Sequence, residues 1–196
     1  MLAYDFVPTD WGYFGYVARA GALVATLLPA PRKEAETAIR SRYPQAVPAK
    51  NLLPDFRRQI ARYFQGKPTE FTVAVDLADC PPFHQRALEA CRRIPYGRIT
   101  TYADLARASG NAKAVRAAGA AMARNPLPIV IPCHRVLRSD GTLGGFSSKR
   151  GVAEKLALLQ MEIPALCAPH EHDGKCSCSK ASPCRAKRQR NMETCA

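Results

Sequence analysis

The stretch YGRITTYADLARASGNAKAVRAAGAAMARN, residues 96–125, decides the fold of this chain. Thr100 or Thr101 can cap a short helix running through Ala108, because a hydroxyl there accepts a hydrogen bond from a backbone N–H left free at the helix start. Ser109, Gly110 and Asn111 supply turn residues, and a second helix is predicted from about Ala112 to Ala123. Helix, glycine-containing turn and helix make a helix-turn-helix outline, which many plain helical pairs share. In the second helix Val115, Ala118 and Met122 fall on one side and are expected to pack inward, while Lys113, Arg116, Ala117 and Ala120 fall on others. Gly119 costs such a helix about 1 kcal/mol relative to alanine. A tight helix–helix contact or the close approach of a nucleic-acid strand would each account for it.

Upstream, FHQRALEACRRI (83–94) continues the helical pattern, with Ala87, Ala90, Cys91 and Ile94 on one stripe, so Cys91 reads as core. DCPP (79–82) is a break and sets the domain boundary. Before it the pattern is mixed α/β. GYFGYVARAGALVATLLP (12–29) suggests a hairpin about Ala20-Gly21, residues 32–44 and 52–66 show helical spacing with Phe56, Ile60, Tyr63 and Phe64 on one face, and EFTVAVDL (70–77) alternates like a half-buried strand. The expected architecture is therefore an α/β N-terminal domain with a small antiparallel sheet (1–78), a mainly helical, winged-helix-like helix-turn-helix domain (79–163) and a basic tail (164–196).

The whole chain is compatible with that plan. At 196 residues it can bury a sizeable core, and 47% hydrophobic with 23% charged residues is ordinary globular composition. No apolar run approaches the roughly 20 residues needed to cross a bilayer, and the first residues lack the basic-then-apolar pattern of a secretory signal, so no membrane partner and an intracellular location are expected. Lys and Arg number 29 against 16 Asp and Glu, a net charge of +13. That balance suits a polyanion such as nucleic acid, although solubility or an acidic lipid surface would account for it equally.

Downstream, NPLPIVIPCHRV (125–136) places a thiol between an apolar run and two potential cations. Pro126, Pro128 and Pro132 exclude a helix, so IVI should be short, extended and buried, delivering Cys133 at its end. Thiolate is the nucleophilic form, and neighbouring cations or hydrogen-bond donors promote it. On an extended segment the side chains of Cys133 and His134 diverge, so a relay between them needs a turn or a bridging water. A buried structural cysteine is the alternative.

IPYGRITTYADLA, AVRAAGAA, NPLPIVIPCHRV and GTLGGFS, in this order and spacing, resemble the O6-alkylguanine-DNA alkyltransferases, densely over 83–163 and more loosely over 1–78. The resemblance implies that Cys133 accepts the alkyl group, His134 acts as base through a water and Glu162 orients His134. It further implies that Asn125 braces the active-site turn and Tyr102 donates toward N3 of the leaving guanine. Arg116 would fill the gap left by an extruded base, with Ala117, Gly119, Lys113 and Arg135 also facing DNA, and Val136, Phe146 and Ser147 would line the base pocket. The implied partner is double-stranded DNA containing O6-alkylguanine, met by a monomer without a cofactor, in the cytoplasm of a prokaryote or the nucleus of a eukaryote.

Where the family usually has two glycines after GGFS, this chain has SKRG (148–151), a solvated insertion or a change in pocket shape. Lys155, Leu158, Leu159 and Glu162 match the family's spacing, with Glu154 the competing relay acid. The tail holds Cys167, His170, His172, Cys176, Cys178 and Cys184, weak candidates for a structural zinc site, their spacing fitting no familiar finger. RAKRQR (185–190) could add nonspecific DNA affinity. Rival functions are a non-transferring binder of alkylated DNA, a Cys-His-Glu hydrolase and a metal-responsive regulator.

Overall fold

The computed structural model describes residues 1–166; the tail's candidate zinc ligands and its basic run lie outside the described residues. Three strands open the chain, β1 (Leu2–Thr9), β2 (Gly12–Arg19) and β3 (Ala22–Ala30), paired as an antiparallel meander. The β2–β3 turn falls on Ala20-Gly21 as expected, both residues taking positive φ. β1 was not expected, and β4 (Val47–Pro48) joins it in parallel, so the sheet is mixed rather than purely antiparallel, in the order β3-β2-β1-β4.

Residues 70–77 form no ladder strand. They reach β3 through one bridge, Leu23 to Val75, while the Arg92 guanidinium occupies the carbonyls of Phe71 and Val73 at 3.2 and 2.6 Å. Those carbonyls are satisfied by a side chain instead of a neighbouring strand.

Helices α1 (Arg32–Arg42) and α2 (Pro54–Phe64) match the predicted pair, and α2 buries Phe56, Ile60, Tyr63 and Phe64 along one stripe. α3 (Pro82–Arg92) buries Ala87, Leu88, Ala90 and Cys91. A single apolar cluster runs from Phe14, Tyr16 and Phe56 through Cys91 and Leu105 to Ile131 and Cys133, so both halves of the chain share one core. The edge of β3 is also tied to the second half: Thr26 donates its N–H to Pro126 O at 2.9 Å and its hydroxyl to Pro128 O at 2.8 Å.

The helix-turn-helix consists of α4 (Tyr102–Ala108) and α5 (Val115–Ala123). Thr101 caps α4 by accepting from Asp104 N–H at 3.1 Å, and Gly110, at a φ of 86°, makes the turn. α5 begins about three residues later than expected, because Asn111 Oδ1 accepts from Lys113 N–H and holds 111–114 in a turn. Ala118, Ala121 and Met122 pack inward, whereas Val115 is 37% exposed and belongs to the outer surface. Beyond them lie a two-residue parallel ladder, β5 (Thr100–Thr101) with β6 (Val136–Leu137), and α6 (Val152–Glu162). No antiparallel hairpin that would make a wing occurs among the described residues of this half, and no helix there is long and apolar enough to cross a membrane.

Candidate active site

The segment carrying the thiol is buried as expected but bent rather than extended. Ile129 takes a φ of 77°, and Ile131 N–H donates to Leu127 O at 2.8 Å. A β-branched residue in that region is strained, and the surrounding packing must hold it there. Asn125 braces the bend: its Oδ1 accepts from Leu127 N–H at 3.0 Å, and its Nδ2 donates to Ile131 O at 2.8 Å and to Cys133 Sγ at 3.2 Å. Cys133 then starts a single 3-10 turn, Cys133–Arg135, which supplies the turn that an adjacent Cys–His pair needs.

Cys133 is 7% exposed, at the wall of a cavity of about 720 Å³. Tyr102, Arg116, Gly119, Phe146 and Ser147 line the same cavity, joined by Arg138, to which the sequence reading gave no role. A Cβ at Gly119 would meet nothing within 4 Å outside its own helix, which removes the tight helix–helix contact as the reason for this glycine. Gly119→Leu should therefore leave the melting temperature unchanged or raise it, by helix propensity worth up to about 0.8 kcal/mol. The same variant should weaken duplex binding by fluorescence anisotropy if a strand packs against α5. Lys113 is exposed in the turn before α5 and Ala117 is half-buried on it, neither lining the cavity. Lys149 of the inserted loop pairs with Glu34 of α1.

Behind the thiol lies a buried polar cluster centred on Glu162. Its Oε1 accepts from His134 Nε2 at 2.8 Å, Arg135 Nη2 at 2.9 Å and the Tyr63 hydroxyl at 2.7 Å; its Oε2 accepts from Arg135 Nε at 2.8 Å and Gly97 N–H at 3.2 Å. Among the described residues Glu154 has no such contact, so Glu162 is the acid paired with His134. Burial alone would raise the Glu162 pKa, but the hydrogen bonds from His134 and Arg135 reverse this and hold the carboxyl well below the usual carboxylate range. Since an ionised carboxylate only accepts, the His134 proton is assigned to Nε2. That leaves Nδ1 buried and without a partner among the described residues.

Burial lowers the His134 pKa against the pull of Glu162, so the imidazole is neutral. Burial pushes the Cys133 thiol up, opposed by the Asn125 hydrogen bond and the Lys155 ammonium. Lys155, wholly buried, donates to Val136 O at 2.6 Å and to Leu143 O, and desolvation brings its pKa down to about 8.

Two expected site residues lie elsewhere. Arg135 is 5% exposed and faces inward, bidentate on Glu162 and bonded to Ile94 O at 2.6 Å, so its guanidinium has no reach to DNA. Val136 is fully buried and its side chain does not line the cavity; its N–H donates to Cys133 O and its carbonyl accepts from Lys155. Tyr63 and Lys155 were missed as site residues. The helical stripe of α2 marked Tyr63 only as core, and nothing local distinguishes it from Phe64.

A thiol backed by a buried His–Glu–Arg cluster and facing a cavity on a helix-turn-helix body defines the class of site. Family models described as the 6-O-methylguanine DNA methyltransferase DNA binding domain and ribonuclease-like domain match residues 82–163 and 29–77. The crystal structure of the Mycobacterium tuberculosis O6-methylguanine methyltransferase superposes with a TM-score of 0.69 at 30% identity, covering 86% of this chain and 97% of that one. The complex of the M. tuberculosis protein with DNA gives a TM-score of 0.69 at 31% identity, covering 82% of this chain and 92% of that one. The chain belongs to the 6-O-methylguanine DNA methyltransferase family. Curated relatives named methylated-DNA–protein-cysteine methyltransferase include those of Mycobacterium leprae, 41% identical over 104 residues, and Haemophilus influenzae, 42% over 113. These alignments span 53% and 56% of this chain and 61% and 62% of the relatives, about three-fifths of their length.

Proposed function

We propose that the protein repairs duplex DNA by transferring the alkyl group of O6-alkylguanine, and of O4-alkylthymine, to Cys133 in a single turnover. The observation that carries this reading is the Cys133 thiol at a cavity whose other wall is the outer face of α5, with Arg116 and an uncovered Gly119. The target atom is hidden in the duplex, so the nucleotide must rotate out of the stack at a cost of a few kcal/mol. The small-residue face of α5 enters the minor groove, whose degenerate readout suits sequence-tolerant repair, and Arg116 takes the vacated place in the stack.

Sγ then attacks the alkyl carbon as the carbon–O6 bond breaks, and the bonding pair leaves with the guanine. The thiol proton passes through a water to His134 Nδ1, the one unpartnered nitrogen of the relay. Tyr102 donates toward N3 of the departing base, while Phe146 and Ser147 flank it. The thioether is not hydrolysed, so each molecule, acting as a monomer, reacts once. The thiol serves as both nucleophile and final acceptor, and transfer needs no cofactor.

Arg116→Ala separates flipping from chemistry. Repair of O6-methylguanine in duplex DNA should slow by roughly ten- to a hundredfold, about 1.4–2.7 kcal/mol of the flipping cost, while the reaction with free O6-benzylguanine base stays at the wild-type rate. Equal loss on both substrates would contradict this assignment.

A further inference from the structure

Tyr63 comes from the N-terminal half, 71 residues from His134 and 99 from Glu162, yet its hydroxyl reaches only these two side chains among the hydrogen bonds of the described residues. Its ring packs edge-on against Phe64 and Tyr96 and tilted against Phe71, contacts that a phenylalanine would make equally well. A buried hydroxyl is costly unless hydrogen-bonded, so packing explains the ring and leaves the oxygen to be explained. It lies 2.7 Å from Glu162 Oε1 and 3.4 Å from His134 Nε2.

We propose, building on the alkyl-transfer reading above, that Tyr63 is a positioning residue of the relay: by donating to Glu162 Oε1, which also accepts from His134 Nε2, it shares the carboxylate's charge and keeps His134 Nδ1 unprotonated and open as the acceptor for the Cys133 proton. A phenol has one proton to give. Spent on Oε1, it cannot be given to Nε2, and that bond is the one that would favour the unproductive tautomer with its proton on Nδ1. The donation also helps saturate the carboxylate. Five donors converge on two oxygens that offer about four lone-pair sites, which restrains both the carboxylate and the ring bonded to it.

The charged and titratable groups facing the relay are Arg135 on the active-site turn, Glu162 and Lys155 on α6, Tyr96 before β5, and Cys133 itself. Of these, Arg135 and Lys155 disfavour a second proton on His134 and Glu162 favours it. Removing the Tyr63 hydroxyl leaves Glu162 with one donor fewer, so the carboxylate pulls harder on the imidazole. The imidazole becomes more basic, and more of it carries a proton on Nδ1 at a given pH, where it can no longer act as base.

The test is the rate of alkyl transfer from a fluorescent O6-benzylguanine to the full chain between about pH 5 and about pH 9, with 15N NMR of the His134 imidazole read alongside. In Tyr63→Phe the acid limb of the rate profile should move up by roughly one unit. The rate well below the limb then falls by up to roughly tenfold and the rate near pH 8.5 hardly changes, while the His134 15N shifts report the extra protonation. Phe64→Leu, which damages the same core without touching the carboxylate, should lower the melting temperature and leave the limb in place. Should Tyr63→Phe not fold, site-specific 3-fluorotyrosine at the same position, a stronger donor, should move the limb to lower pH. A Tyr63→Phe profile superimposable on wild type, a fluorotyrosine profile that does not move, or a limb that shifts equally in Phe64→Leu overturns the proposal. Should the wild type transfer nothing, alkyl transfer itself fails, and the 15N shifts still decide whether Tyr63 sets the protonation of His134.

Discussion

Glu162→Ala is expected to lower the melting temperature by roughly 6–20 °C. The carboxylate is the only negative group among the described residues paired with the buried Arg135 guanidinium, and it also accepts from His134, Tyr63 and Gly97 N–H. Removing one partner of a buried ion pair strands the other charge, at about 3–5 kcal/mol. For a chain of this size each kcal/mol is worth roughly 2–4 °C. The pH dependence follows the same logic. The Glu162 carboxyl is held below its unfolded value of about 4.3, so its stabilisation is fully present above that pH and is lost as the pH falls through the lower, folded value. The gap in stability between wild type and variant should therefore narrow as the solution is acidified below that value. Thermal melting of both proteins across the acid range checks both statements, and a melting temperature within about 2 °C of wild type would contradict the first.

Cys133→Ser should reduce alkyl transfer to background while leaving the fold intact. Serine fills nearly the same volume, and its hydroxyl can still accept from Asn125 Nδ2, so the bend at Ile129 has no reason to relax. A hydroxyl, however, is a far weaker nucleophile at neutral pH than a thiol activated by a base. The expected readout is wild-type melting and wild-type duplex binding without labelling by a benzylguanine substrate. Residual stoichiometric labelling of this variant would place the acceptor at another residue.

Much of this site is legible in the chain before any coordinates. Cys133, His134 and Asn125 sit within one twelve-residue motif, and Glu162 follows on a helix whose spacing is readable. The stripes of α2, α3 and α5 show in their apolar periods because one face of each is buried. What failed to show depends on partners distant in sequence. Arg135 looks like a surface cation beside a thiol, and Glu162, 27 residues away, and Ile94 O, 41 away, turn it inward. β1 sets Asp5 between Tyr4 and Phe6 on the opposite face of the sheet, a poor strand residue that is held by Arg57 at 2.6 Å, 52 residues on. The IVI run has the composition of a strand, yet Asn125 and the flanking prolines bend it at Ile129. Tyr63 carries its information in one oxygen atom, invisible to any reading of apolar period.

The most direct test of the account is the intact mass of the full chain after incubation with an excess of duplex carrying O6-methylguanine, followed by peptide mapping. One added methyl group per chain and no more is expected, located on the peptide containing Cys133. An unchanged mass, a methyl group on any other residue, or continued demethylation of the excess duplex by a chain that stays unmodified would contradict it.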